Sequence, residues 1–158
     1  MRFLLFITLP FYALDQLTKW LVVQNFEEGK ERVVIPNFFS LHYLVNTGAA
    51  FSSFTDQNSF FIVLSLCVLI GLSIFYWRGA FKGKLLGVGF ALLVAGILGN
   101  LTDRLTHGHV VDFLLFDLHV KYAHPWPAFN VADSCICVAA ALFVIASFRD
   151  AKKEQQAR

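Results

Sequence analysis

The chain has 158 residues, of which 57% are apolar and only 15% charged. A soluble domain carries roughly 25% charged residues, so a water-soluble fold of this size is excluded. A formal net charge of +2 gives no reason to expect a nucleic-acid partner. The 18 phenylalanines and three tryptophans suit lipid contact and interfacial anchoring.

A helix crosses the hydrocarbon core of a bilayer in about 20 residues, and four segments qualify, at about 3–23, 59–77, 85–101 and 131–148. The first carries Asp15 and Lys19 inside its apolar run and no small-x-small cleavage site after it, which reads as a permanent span and not a cleaved leader. The second has no charge. The third is short and rich in glycine. The expected fold class is therefore an all-α membrane protein with four transmembrane helices, forming a single domain over 1–158.

Orientation follows from lysine and arginine. Arg2, Arg78, Lys82, Lys84, Arg149, Lys152, Lys153 and Arg158 gather on one side, against Lys30, Arg32, Arg104 and Lys121 on the other. Both termini are expected in the cytoplasm, with loops 24–58 and 102–130 outside. In the first loop Phe39, Leu41, Tyr43 and Val45 alternate with Ser40, His42 and Leu44, which predicts a small extramembrane β-sheet on the outer face. Val110 to Val120 is apolar but too short to span, and is expected at the interface or docked on the bundle.

Cys67, Cys135 and Cys137 lie in apolar runs and read as buried, reduced thiols; no ligand set for a metal is completed by spacing. His107 and His109 read as surface histidines of a loop.

Ionisable groups near a membrane core are costly, and each is by default functional or paired. Here they form five clusters: Asp15, Thr18 and Lys19; Asn46 to Phe51; Asn100, Asp103 and Arg104; Asp112; and Asn130 with Asp133. The topology above brings all five to one end of the bundle, near the outer leaflet. Position alone reads Asp15 and Lys19 as a structural i,i+4 ion pair. It reads Arg104 as an interfacial anchor with Asp103 as counter-charge, and Asn130 as a helix cap with Asp133 favoured by the helix dipole. Asp112, within Val-Val-Asp-Phe-Leu-Leu-Phe, has no basic neighbour in sequence and wants a proton or a partner.

No nucleophile elbow, His-Glu-x-x-His motif or phosphate loop is present. Two adjacent aspartates can share one proton and activate water, and Asp112 and Asp133 are the candidates. The helix dipole assigns Asp133 as resting base and the apolar setting assigns Asp112 as resting acid. Two other classes fit the same clusters: a small proton-coupled transporter, which would place acids near mid-membrane, and a non-catalytic chaperone or lipid-binding subunit.

Five blocks, Asp15-Gln-Leu-Thr-Lys19, Asn46-Thr-Gly-Ala-Ala-Phe51, Gly99-Asn-Leu-Thr-Asp-Arg104, Val110-Val-Asp-Phe113 and Phe129-Asn-Val-Ala-Asp-Ser134, occur in order over nearly the whole chain. In these the chain resembles lipoprotein signal peptidase, the type II signal peptidase of bacteria. The resemblance implies an intramembrane aspartic endopeptidase of the bacterial cytoplasmic (inner) membrane. It would cut the signal peptide from prolipoproteins before a cysteine carrying diacylglycerol, without metal or organic cofactor, and bind globomycin-type inhibitors. It implies that Asp112 and Asp133 are the catalytic pair, with Asn100, Asp103, Arg104 and Asn130 as their supporting shell. Asn46, Gly48 and Phe51 would belong to a loop closing over substrate, and Asp15 and Lys19 would be structural or substrate-positioning. Its partners would be the lipid-modified substrate and membrane lipid. Ala95 departs from the glycine pair common in the family. The outer sheet is expected to hold substrate by strand addition.

Overall fold

A computed structural model describes residues 3–48, 57–119 and 126–156. The chain opens with a π-helical turn, Leu4–Thr8, which runs into α1 (Leu9–Asn25). Pro10 accounts for this: its ring has no N–H to give and collides with the carbonyl four residues back, so the preceding turn widens. Thr8 Oγ1 then ties the loosened turn to α3 by donating to the Ala91 carbonyl at 2.8 Å.

Strands β1 (Glu31–Ile35) and β2 (Phe39–Asn46) follow, then helices α2 (Asn58–Trp77) and α3 (Lys84–Thr106), strand β3 (Val110–Phe116) and helix α4 (Val131–Gln156). Helix α2 stops at Gly79, whose φ of 75° lets the Gly79 and Ala80 N–H groups bond back to Tyr76 and Phe75. The chain thereby turns into α3 within a few residues.

Among the described residues, three helices are long and apolar enough to cross a membrane: Asn58–Trp77, Lys84–Thr106 and Val131–Arg149. None of the residues of α2 is buried by protein, and Phe60, Val63 and Ile70 stand more than half exposed. Such a surface is stable only against lipid.

Helix α3 is the core of the bundle and packs most heavily on α4. Its small residues make this possible, because close approach of helix backbones is the main source of packing energy where lipid competes for apolar contact. A Cβ on Gly96 would run into the Ala132 carbonyl and Ile136, and one on Gly99 would meet the Asp15 carboxylate and Ala132. Ala95 is 1% exposed, so its methyl group is part of the core. Helices α1, α3 and α4 are thus drawn together around Asp15, Gly99 and Ala132.

The sheet has the order β1-β2-β3, antiparallel throughout, with Leu44 opposite Asp112 and Asn46 opposite Val110. Val111 and Phe113, on one face of β3, pack on Val22 of α1. Val110 and Asp112, on the other face, line a cavity. The expected small sheet is present, with two additions. Val110 to Phe116, expected at the interface or docked on the bundle, is its third strand and packs on α1, and β1 had no recognisable signal. Helix α3 also runs five residues past the expected end at 101, so Asp103 and Arg104 are helical and not part of a loop.

Of the three cysteines, Cys135 alone is buried by protein; Cys67 and Cys137 lie on outward helix surfaces, and all three are free. The expectation of three buried thiols fails because an apolar run in a membrane protein has a lipid-facing side as well as a core side.

Candidate active site

The residues between β3 and α4 bring the two aspartates together. Phe129 pairs with Leu114 of β3 through reciprocal backbone bonds of 2.8 and 3.1 Å. Its ring continues a stack with Phe116 and Phe39. This lays Asn130, the first residue of α4's cap, beside Asp112.

Asn130 and Asp133 form a reciprocal capping box. Asn130 Oδ1 accepts the Asp133 N–H at 2.9 Å, and Asp133 Oδ2 accepts the Asn130 N–H at 3.1 Å. The capping interpretation of Asn130 is therefore realised, but the residue does more. Its Nδ2 donates to Asp112 Oδ1 at 2.7 Å and makes longer bonds to Asn100 Oδ1 and the Val111 carbonyl. Asn130 has no exposed surface and touches both carboxylates.

Each aspartate has a second amide donor. Asn46, at the end of β2, donates to Asp112 Oδ2 at 2.7 Å, while its own Oδ1 accepts the Gly48 N–H. Asn100 of α3 donates to Asp133 Oδ1 at 2.7 Å. Asp112 is 4% exposed. Burial pushes its carboxyl from an ordinary value of 3.8 up to about 7, and the charge of Asp133 adds to this; the bonds from Asn46 and Asn130 and the charge of Lys19 oppose it.

That shift has a stability consequence. Between about pH 4 and pH 7 the folded protein keeps a proton on Asp112 that the unfolded chain has released, so Asp112 makes stability fall as pH rises through this window. Asp112→Asn removes a charge-burial penalty on the order of 4 kcal/mol at pH 8. It leaves one amide N–H facing another, at about 1–3 kcal/mol. Unfolding in detergent should therefore show the variant more stable than wild type by about 1–3 kcal/mol at pH 8 and no more stable at pH 4. Equal effects at both pH values would contradict a buried, proton-retaining Asp112.

Beneath the aspartates lies a buried ionic group. Lys19 Nζ stands 2.9 Å from Asp15 Oδ2 and 2.8 Å from Asp103 Oδ2, with all three side chains at most 4% exposed. The expected i,i+4 pair is present. Asp103, however, is the partner of Lys19 and not of Arg104, because successive helical residues point to different sides of α3. Asp15 Oδ1 also accepts the Ala132 N–H at 2.8 Å, satisfying an otherwise free donor in the first turn of α4. Gln16 was not singled out in the sequence. It donates to Asp103 Oδ1 at 2.9 Å and reaches Asp15 and Gly99 at 3.2 Å. An uncharged amide between two ionisable residues of a span is the signal that marks it.

Arg104 faces the aspartates' side. It donates to the Gly48 carbonyl at 3.2 Å and lies over the Phe61 ring at 4.8 Å. Phe51 lies outside the described residues. His107 and His109 have rings 6.0 Å apart. Among the described residues no three His, Cys, Asp or Glu side chains are grouped so as to hold a metal ion.

Asp112, Asp133, Asn46, Asn100 and Arg104 all line one cavity of about 540 Å³. Its remaining wall is mostly apolar, from Trp126 to Phe129 and along Ile136, Cys137 and Val138 of α4. The last two are exposed on the lipid-facing side of the helix. The site is thus polar at its floor and apolar along one flank. The edge of β3 away from β2 is paired with Phe129 at Phe113 and Leu114 and with Trp126 at Phe116.

A family model described as signal peptidase (SPase) II matches residues 7–149. The chain belongs to the signal peptidase II family. It is similar to the lipoprotein signal peptidase of Neisseria meningitidis serogroup C / serotype 2a, with 43% identity over 91% of this chain and 87% of that protein. The lipoprotein signal peptidase of Syntrophotalea carbinolica is 41% identical over 98% of this chain and 96% of that protein. That of Bacillus pumilus is 40% identical over 91% of each. Two solved structures of a bacterial membrane enzyme, determined by the in meso method at 2.3 and 1.9 Å, are each 31% identical in sequence. The first superposes with a TM-score of 0.87 over 95% of this chain and 90% of the other. The second gives 0.82 over 93% of each. Signal peptidase II membership makes the chain a protease, and its apolar helices make it an integral membrane protein.

Proposed function

We propose that this signal peptidase II family member removes signal peptides from prolipoproteins, cutting on the amino side of a cysteine that carries diacylglycerol, with Asp112 and Asp133 activating water. The observation that carries the reading is the meeting of two aspartates, each held by two N–H donors, in a cavity with an apolar flank open toward lipid. Both relevant parts of such a substrate, a hydrophobic signal helix and acyl chains, arrive from within the bilayer.

Asp133 accepts N–H bonds on both oxygens at the first turn of α4, a setting that suits a carboxylate. Asp112 at about 7 keeps its proton below neutrality. Asp133 then takes a proton from water while the oxygen attacks the scissile carbonyl, and Asp112 gives its proton to the carbonyl oxygen. Collapse of the resulting diol returns a proton to Asp112, and Asp133 passes its own to the leaving amine. Arg104 holds the Gly48 end of the outer loop near the cavity, and Asn46, Gly48 and Phe51 belong to the part that closes over substrate.

The helical run from Leu4 to Asn25 is read as a fourth span, with Asp15 and Lys19 turned into the bundle. Residues 1–158 act as one peptidase domain in the cytoplasmic membrane, termini inside, site near the outer leaflet, with lipid and globomycin-type inhibitors as further ligands. A transporter reading has no support from a protease family.

Purified protein given a prolipoprotein before and after diacylglyceryl transfer tests this. Mass spectrometry should find a new amino-terminal cysteine only from the modified form. Cleavage at another bond, or equal cleavage of the unmodified form, would refute the proposed specificity.

A further inference from the structure

The ammonium of Lys19 has three protons and no acceptor, and three acceptors surround it: Asp15 Oδ2, Asp103 Oδ2 and, at 3.0 Å, Asn100 Oδ1. Asn100 therefore has to turn its oxygen toward Lys19, which leaves its Nδ2 facing Asp133 Oδ1 at 2.7 Å. The amide of Asn130 is polarised the same way by a different group. Its oxygen is held by the Asp133 N–H, and its Nδ2 faces Asp112. Among the described residues, the other donor to the Asn100 side-chain oxygen is not a backbone N–H but Asn130 Nδ2 at 3.2 Å.

We infer that Lys19 is a positioning residue of the reaction, which acts through Asn100 by fixing the orientation of that amide so that it donates to Asp133. This rests on the reading of Asp133 as the base. Without the ammonium, the carboxylates of Asp15 and Asp103 lose their cation and become acceptors in need of a donor. A half-turn of the Asn100 amide supplies one, and at the same time aims Oδ1 at Asp133 Oδ1, two acceptors face to face. The carboxylate is then neither held in place nor supported in its charged form. A purely structural Lys19, which merely joined α1 to α3, would affect folding and leave turnover per folded molecule alone.

The test is a double-mutant cycle on the full-length protein, with kcat and KM measured for Lys19→Met, Asn100→Leu and the pair. Folded Lys19→Met should lose about 30-fold or more in kcat, with KM within about 3-fold of wild type, and should cost nothing further once Asn100 is leucine. An unchanged kcat in Lys19→Met, or losses that multiply in the pair, would overturn the inference. Should Lys19→Met not fold, the charge-balanced Lys19→Met/Asp103→Asn is compared with Asp103→Asn, with and without Asn100→Leu, and read by the same two outcomes. Asp112→Asn and Asp133→Asn are assayed alongside. If either still cleaves, the reading of the aspartates fails. If both are inactive and the Lys19 losses multiply, the positioning role alone fails.

Discussion

Asn130→Leu is expected to reduce cleavage by at least about 100-fold and to destabilise the protein by about 3–5 kcal/mol. Leucine is close in volume, so the cavity left behind is small and the loss is of polar contacts. Two strong ones are removed at once. The cap of α4 goes, because the N–H of Asp133 loses its acceptor, at about 1 kcal/mol. Buried Asp112 Oδ1 loses its amide donor, at about 1–3 kcal/mol, and the longer bonds to Asn100 and Val111 go with it. Asn130→Asp separates these effects. It keeps the cap oxygen but puts an acceptor opposite Asp112, so stability at pH 5 should recover more than activity. Thermal unfolding and turnover on the same preparations decide this. Parallel recovery of both would mean that Asn130 serves only the helix.

This double duty explains why the site was only partly legible in the sequence. Asn130 and Asp133 have the spacing of a capping box, and a cap is a sufficient account of both residues until Asp112 is seen against them. Asp112 was conspicuous on its own, as a carboxylate in a run of apolar residues. Its strand was not, because Val110 to Phe113 is buried on both faces and shows no alternation. Strand β1 was invisible for the opposite reason, being exposed along its whole length.

Local spacing found the Asp15–Lys19 pair but misassigned Asp103, whose partner lies 84 positions away on α1 while Arg104 is its immediate neighbour. A helix separates sequence neighbours by about 100°, so adjacency is a poor guide to pairing there. The end of α3 was misplaced because hydropathy falls at Asn100. The helix continues, since Asn100 and Asp103 turn inward to partners that only the folded bundle supplies. The blocks that carry the family resemblance were legible throughout, and the family match over 7–149 agrees with them.

Asp112→Asn and Asp133→Asn are each expected to lower kcat by at least about 1,000-fold, and the double variant to be no slower than either single one. The reason is the sharing of labour. An asparagine at 133 cannot take the proton of water, and an asparagine at 112 cannot give a proton to the carbonyl oxygen and take it back. Neither remaining carboxyl can perform both transfers from one side of the scissile bond. Arg104 and the amides of Asn46, Asn100 and Asn130 are intact in every variant, so substrate binding and KM should change little.

The most direct measurement is therefore the rate of signal-peptide release from a diacylglyceryl-modified prolipoprotein by wild type, the two single variants and the double variant, each shown to be folded. Near-complete loss in both single variants, with no further loss in the double, is the result expected of a pair that acts as one unit. Cleavage at close to the wild-type rate by either single variant would contradict a mechanism in which Asp112 and Asp133 act together.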